Sequence, residues 1–313
     1  MSSILITGAN GFVGTHLIRH LAKNASRRIL AASRQHRSLP KNVVPRQAPD
    51  ISETTEWPSL SESVDTVIHL ASRAHVMGEN HKTSLAAYRQ VNVEGTRALF
   101  QAAAENDLRH FIYLSSIKAV GESSSPGDPL SEESPTLPED PYGQSKREAE
   151  QLLAEECAKA NIRYTIIRPP LMYGEGMKGN LPALARLARK SLPLPFGSLN
   201  RNRRSLLSIE NLVSFIETLL DHPHSRSEIL HLADPEPVST RELVELLATA
   251  QNHHPRLWPC PPVILRCGLT LLGKGGMARR LTESLELSTD KARKIFSWTP
   301  PHSTRESLPK AIG

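Results

Sequence analysis

Cysteine, aromatic side chains and long apolar runs are all scarce in this chain. Of its 313 residues 3 are cysteine and 4% are aromatic. Cys157, Cys260 and Cys267 form no CxxC pair, so neither a disulfide framework nor a zinc site is indicated, and reduced packing thiols are expected. The 13 histidines, His253 and His254 among them, show no ligand spacing, and no metal is expected. No stretch approaches the roughly 18 uninterrupted apolar residues of a membrane span. The nearest candidate, Leu257 to Gly273, is broken by Pro259, Pro261, Pro262 and Arg266. No basic segment with an apolar signal core precedes the first strand, so a cytoplasmic location is expected. Acidic charge falls short of basic, giving a net charge of +6 and a pI of about 9.3. The cations are scattered and aromatics are too few for a stacking surface, which argues against nucleic acid. The excess suits an anionic, phosphate-bearing ligand instead.

What is present is alternation. Short apolar runs at Ile4–Thr7, Ile29–Ser33, Thr66–Leu70, His110–Ser115 and Tyr164–Arg168 read as strands. Helix-period segments lie between them, at Phe12–Asn24, Ala86–Glu105 and Tyr142–Ala160. This predicts an α/β fold, a doubly wound parallel sheet of the Rossmann kind over residues 1–168. Pro169 and Pro170 then punctuate the chain, and Pro/Gly-rich stretches follow at Gly174–Gly179 and Leu192–Gly197. Residues 169–313 are expected to form a smaller α/β substrate-binding domain that can return an element to the sheet.

Between the first strand and the first helix stands Thr7-Gly8-Ala-Asn10-Gly11-Phe12-Val13-Gly14. Glycines there permit a tight turn, close approach of a pyrophosphate and close helix-on-strand packing. The helix N-terminus presents free N–H groups and the positive end of its dipole to the phosphates. Gly8, Asn10, Gly11, Phe12, Val13 and Gly14 are therefore expected to bind a dinucleotide. The second strand ends in Ser33-Arg34, where a carboxylate would grip the ribose of NAD; with Arg34 and Arg37 nearby, a 2′-phosphate is tolerated. Arg34 either meets that phosphate, stacks on adenine or faces solvent, and both NAD(H) and NADP(H) stay open. Asp50-Ile51 is expected to follow the third strand and flank the adenine.

The segment Tyr142-Gly-Gln-Ser-Lys146 puts a phenol and an ammonium four positions apart on one helix face. A phenol with a pKa near about 10 is a poor base at neutral pH. A fixed ammonium and a positive nicotinamide are expected to lower it, letting Tyr142 exchange a proton while the cofactor exchanges hydride. Upstream, at a strand end, Ser115-Ser116 supplies a hydroxyl to orient the substrate oxygen.

With these motifs, together with His69-Leu70-Ala71-Ser72, Val91-Asn92-Val-Glu-Gly-Thr96 and Arg168-Pro-Pro-Leu-Met-Tyr-Gly174, the chain resembles the extended short-chain dehydrogenase/reductases of the UDP-glucose 4-epimerase-like group nearly end to end. The resemblance implies Ser116, Tyr142 and Lys146 as the catalytic set. Leu70, Ala71, Ser72, Asn92 and Ser115 are implied to line the cofactor, and Pro169 to border the nicotinamide. It implies a UDP-sugar substrate, contacted by Asn180 in Lys178-Gly-Asn180 and by Arg204 at the diphosphate. Arg279 or Arg280 is left as a second diphosphate contact. Lys118 either touches the sugar or lies in solvent. A homodimer built on Ala86–Glu105 and Tyr142–Ala160 is implied as well. Val120 stands where the group often has tyrosine, a departure from glucose/galactose epimerases. The chain is similar to a bacterial branch of O-antigen sugar enzymes that reduce UDP-2-acetamido-2,6-dideoxy-4-hexulose to UDP-N-acetylquinovosamine. The alternatives are a UDP-hexose or UDP-N-acetylhexosamine 4-epimerase and a non-catalytic NADP-sensing protein. A 4,6-dehydratase is disfavoured, because Ile117-Lys118 stands where such enzymes carry an acidic pair.

Overall fold

The computed structural model describes residues 2–35, 38–51, 56–57, 63–74, 81–177, 179–190, 192–222 and 226–312. Its elements in chain order are β1 (Ser2–Thr7), α1 (Phe12–Leu21), β2 (Arg27–Ser33), β3 (Val43–Gln47), β4 (Thr66–His69), α2 (His81–Arg89), α3 (Gly95–Ala104), β5 (His110–Leu114), α4 (Pro141–Ala160) and β6 (Arg163–Arg168). There follow β7 (Leu171–Tyr173), α5 (Asn180–Ala188), β8 (Leu206–Ser208), α6 (Ile209–Asp221), β9 (Glu228–His231), α7 (Thr240–Thr249), α8 (Pro262–Leu271), α9 (Gly275–Thr282), α10 (Asp290–Phe296) and α11 (Thr304–Ile312).

Two units are formed, and neither is a single stretch of chain. The first comprises Met1–Gly121, Ser134–Arg168 and Glu217–Leu230; the second comprises Glu122–Glu133, Pro169–Ile216 and His231–Gly313. The first is built on a 7-stranded sheet in the order β3-β2-β1-β4-β5-β6-β9. β1 pairs in parallel with both β2 and β4, setting Ile4 opposite Ile29 and Thr66. The strand order reverses there, and in open α/β sheets ligands bind beyond the strand C-termini at such a switch point. Strands buried on both faces read as continuous apolar runs, and β5 (His-Phe-Ile-Tyr-Leu) is buried at every position. Phe111, Tyr113 and Ile166 of the sheet pack with Leu99, Phe100 and Leu153 in one core. β3 tolerates Pro45 because it is the edge strand, bonded only to β2.

Helix α4 shows how sequence sets a helix start. Asp140 caps it, its Oδ1 accepting from the Gly143 N–H at 2.7 Å. Pro141 occupies the first turn, where its missing N–H costs nothing. Asn161 ends the helix in the left-handed conformation with φ 54°. The helix expected over Ala86–Glu105 differs from expectation: it begins at His81 and is interrupted by a π-turn over Gln90–Glu94. Side chains hold that turn open. The Thr96 hydroxyl takes the Asn92 carbonyl at 2.7 Å, and the Asn92 amide reaches Ser145 Oγ at 2.9 Å.

The second unit has its own core, in which Tyr173, Leu181, Phe196, Leu206, Val244 and Leu247 pack together. β7 and β8 form a parallel pair, and Arg204 bridges to Val238 and to Leu285. The buried Asp234 carboxylate ties this unit together. It accepts from Tyr173 Oη at 2.7 Å, Thr304 Oγ1 at 2.8 Å, Asn211 Nδ2 at 2.7 Å and the Ser208 N–H at 2.9 Å. Among the described residues no helix is long and apolar enough to cross a membrane.

Candidate active site

The glycine-rich turn is shaped by contacts that no side chain could survive. Gly8 has φ +64°, and a Cβ there would meet the Ala71 nitrogen at 2.8 Å. A Cβ on Gly14 would meet the Gly8 carbonyl oxygen at 2.3 Å. The first turn of α1 thus sits directly on the end of β1. Gly11 supplies no side-chain cap, so the leading N–H groups of Phe12 and Val13 are available to an anion. This cradle fits a dinucleotide pyrophosphate. Asn10 is anchored through Nδ2 to the Gln35 carbonyl, and Ser33 Oγ donates to that same oxygen at 2.7 Å. At the end of β2, Arg34 pairs with Asp50 at 3.0 Å, so the cation and the carboxylate anticipated around the adenosine lie together. Ile51 packs where a Cβ on Gly95 would strike its Cγ2 at 2.2 Å. Arg37 lies outside the described residues.

A buried relay that the sequence reading missed supports the β4 end. Thr7 Oγ1 accepts from the Leu70 and Ala71 N–H groups, both at 3.2 Å. Its own proton therefore goes to His69 Nδ1 at 2.7 Å, which leaves His69 Nε2–H to donate to Thr96 Oγ1 at 3.1 Å. Burial first, and then the Lys146 charge, lower the His69 pKa to about 3. The imidazole is consequently a neutral girder. Asn92 holds the loop beyond Ser72, accepting from the Arg73 N–H at 2.8 Å. No pattern pointed to this relay except that Thr7, His69 and Thr96 fall within the quoted motifs.

Around the catalytic motif, Ser116 caps the short 3-10 turn Ile117–Ala119 and hydrogen-bonds Tyr142. Burial pushes the Tyr142 phenol well above its ordinary value, the Ser116 bond pulling the other way and the Asp140 and Tyr88 charges adding to the rise. The Tyr88 ring meets the Tyr142 ring edge-on, with centroids 5.9 Å apart. Lys146 is fully buried; its ammonium donates to the Leu114 carbonyl at 2.7 Å and to Tyr113 Oη at 3.0 Å. Burial lowers its pKa to about 7, and Glu150 partly offsets that. The phenol was expected to be lowered by the neighbouring ammonium. It is raised instead, because desolvation outweighs the Ser116 hydrogen bond and the Asp140 and Tyr88 charges push the same way as burial.

Two predicted residues take structural partners. The Ser115 hydroxyl donates to Glu150 Oε1 at 2.5 Å, and Arg168 clamps the same carboxylate through Nε at 2.9 Å and Nη2 at 2.7 Å. Glu150 stands four residues after Lys146 and Arg168 ends β6, a fully buried pair for which spacing alone offered only the shared helix face. Lys118 Nζ, read as reaching the sugar or solvent, sits 2.5 Å from Asp140 Oδ2. A Cβ on Gly143 would meet the Lys118 carbonyl at 2.3 Å, so α4 and the Ser116 turn touch through backbone.

In the second unit, Arg204 Nη1 donates to the Glu283 carbonyl at 3.1 Å. Burial and then the repulsion of Arg280 lower its pKa to about 10, with Glu122 and Glu283 opposing. Arg280 itself faces Glu122 at 3.5 Å. Of the two arginines left open as the second diphosphate contact, Arg280 thus shares the environment of Arg204, while Arg279 is exposed. Asn180 opens α5 and is exposed, Pro169 is buried directly after β6, and Lys178 lies outside the described residues.

The NAD dependent epimerase/dehydratase family model matches residues 4–233. The chain belongs to that family. It is 37% identical over 306 residues to a UDP-glucose 4-epimerase of Vibrio cholerae, covering 98% of this chain and 93% of that one. It is 30% identical to the GDP-6-deoxy-D-mannose reductase of Pseudomonas aeruginosa, covering 78% and 79%. A UDP-glucuronic acid 4-epimerase from Bacillus cereus in complex with NAD shares the fold, with a TM-score of 0.77 at 20% identity and coverage of 99% and 95%. This NAD(P)-dependent family accounts for the glycine cradle at the sheet's switch point.

Proposed function

We propose that this enzyme transfers hydride at C4 of a UDP-sugar, reducing UDP-2-acetamido-2,6-dideoxy-4-hexulose to UDP-N-acetylquinovosamine in the supply of polysaccharide sugars. The observation that carries hydride chemistry is the Ser116–Tyr142 hydrogen bond, with the buried Lys146 four residues further along the same helix. When bound, the reduced nicotinamide supplies the hydride. Ser116 orients the keto oxygen, and Tyr142 gives that oxygen its proton as the alkoxide develops. A phenol held above its ordinary pKa keeps its proton at neutral pH, which suits the acid of a reduction. Lys146, buried and with its pKa lowered to about 7, is an ammonium poised to release or regain a proton near neutral pH. Arg204 and Arg280 are cations held against their mutual repulsion, and the nucleotide diphosphate relieves it. β2 ends in Ser33 followed by Arg34 rather than in a carboxylate, which leaves room for a 2′-phosphate as well as for NAD. Water elimination lacks its acidic pair, because Ile117 is buried and Lys118 faces Asp140.

The 37% identical Vibrio cholerae relative favours a second reading, 4-epimerisation of a UDP-hexose or UDP-N-acetylhexosamine by the same residues. One assay separates the two. Mixed with NADH or NADPH and the 4-hexulose, a reductase oxidises one nicotinamide per sugar. No oxidation, with tightly retained NAD and interconversion of UDP-hexoses, assigns the epimerase. Neither activity overturns both readings.

A further inference from the structure

Helix α8 is 10 residues long, largely apolar, and buries none of them. A surface helix ordinarily turns its apolar stripe onto the core of its own unit. α8 does set Leu265 against that core, yet Val263 is 71% exposed, Ile264 63%, Leu271 88% and, just after the helix, Leu272 72%. Trp258 ahead of the helix and Met277 on α9, which packs against α8, are exposed as well. Scattered apolar residues on a surface are normal, but this concentration between Trp258 and Met277 marks an interaction site.

Its charge says what covers it. From Leu246 to Thr282 the chain carries no Asp or Glu, while Arg256, Arg266, Lys274, Arg279 and Arg280 all lie within it. Arg266 pairs with Glu283 at 3.1 Å and Arg280 with Glu122 at 3.5 Å. Arg256 and Lys274, one on each side of α8, are exposed. A second copy docked about a two-fold axis would set the same cations against each other. Nucleic acid would want stacking rings, and the patch offers aliphatic side chains with a single indole. Exposed aliphatics, an exposed Trp and the exposed cations Arg256 and Lys274 in a segment that itself carries no acid match a helix lying in a lipid headgroup layer. At about 15 Å, ten helical residues are too short to cross a bilayer.

We propose that α8 and its flanks dock this enzyme reversibly on an anionic phospholipid surface. The test is sedimentation of the full-length protein with vesicles of phosphatidylcholine alone, or of equal parts phosphatidylcholine and phosphatidylglycerol. The wild type is expected to sediment with the anionic vesicles, less so at high salt, with a blue shift of tryptophan emission that Trp258→Phe removes. The pair Ile264→Ser and Leu271→Ser is expected to bind about tenfold or more weakly, the scale of two lost apolar insertions. Melting temperature and nicotinamide turnover stay unchanged, because both side chains are exposed and outside the catalytic set. Arg256→Gln with Lys274→Gln removes the preference for anionic over zwitterionic vesicles. A wild type that stays in the supernatant at low salt, or a serine pair that binds as well as wild type, overturns the proposal. So does a serine pair that instead converts an oligomer to a smaller species, which assigns the patch to a second copy.

Discussion

Tyr142, Ser116 and Lys146 are where chemistry and burial meet most tightly. Tyr142→Phe removes only the hydroxyl from a buried ring, so turnover is expected to fall by about 10² or more with little change in melting temperature. A steady-state assay beside a thermal melt checks this, and near-wild-type turnover sinks the acid role. His69 makes a separate prediction. It is neutral and buried with a pKa lowered to about 3, whereas in an unfolded chain it titrates near 6.5. Above that value neither state is protonated and the group is silent. As pH falls through the window, the unfolded chain takes up a proton that the folded one refuses, so stability drops by at most about 1.4 kcal/mol per pH unit. Denaturant midpoints measured from pH 6.5 down to 3.5 should show this slope, and His69→Gln should flatten it. The proposed trio was legible as residues because tyrosine is scarce, Tyr142 and Lys146 stand four apart, and the family resemblance points to Ser116. The direction of the phenol's shift was not legible, since it depends on how much water the fold removes.

Helix α4 is the element that carries the site, and its N-terminus is held from three directions. Asp140 caps the Gly143 N–H, meets the Lys118 ammonium, and precedes Pro141. Asp140→Ala is expected to cost about 1–2 kcal/mol of stability, the scale of a lost cap, and to lower kcat more than it raises KM. Lys118→Met distinguishes its two readings. A positioning cation lowers kcat in step with Asp140→Ala and adds little in the double variant, whereas a sugar contact shows as raised KM with Asp140 intact. Gly143→Ala forces a Cβ to within 2.3 Å of the Lys118 carbonyl, so it should damage turnover although alanine favours helices. Strand and helix positions were readable here because apolar period and capping residues are local signals. The π-turn over Gln90–Glu94 was hidden, because besides the local Thr96 hydroxyl it is held by the Asn92 amide on Ser145, a side chain from a distant part of the sequence.

At the scale of the whole molecule, the proposed function assigns Ser116, Tyr142 and Lys146 to the first unit and Arg204 and Arg280 to the second. Arg204 in the second unit is a buried cation beside Arg280, which makes its environment strained without an anion. Arg204→Met is therefore expected to weaken nucleotide-sugar binding by roughly 1–3 kcal/mol while leaving the unliganded melting temperature equal or higher. Calorimetric titration with a UDP-sugar, and a melt of the free protein, check the two halves; unchanged affinity removes Arg204 from the site. By itself the sequence determined the doubly wound sheet and the glycine-rich turn after β1, because both are written in local period and glycine placement; it proposed Tyr142 and Lys146 from their helix spacing and Ser116 from the family resemblance. Only the tertiary structure decided that Ser115 serves Glu150, that Lys118 serves Asp140, that Arg280 joins Arg204, and that α8 leaves Val263, Ile264 and Leu271 exposed. Those outcomes rest on contacts between residues far apart in the chain and on burial, and a linear pattern records neither.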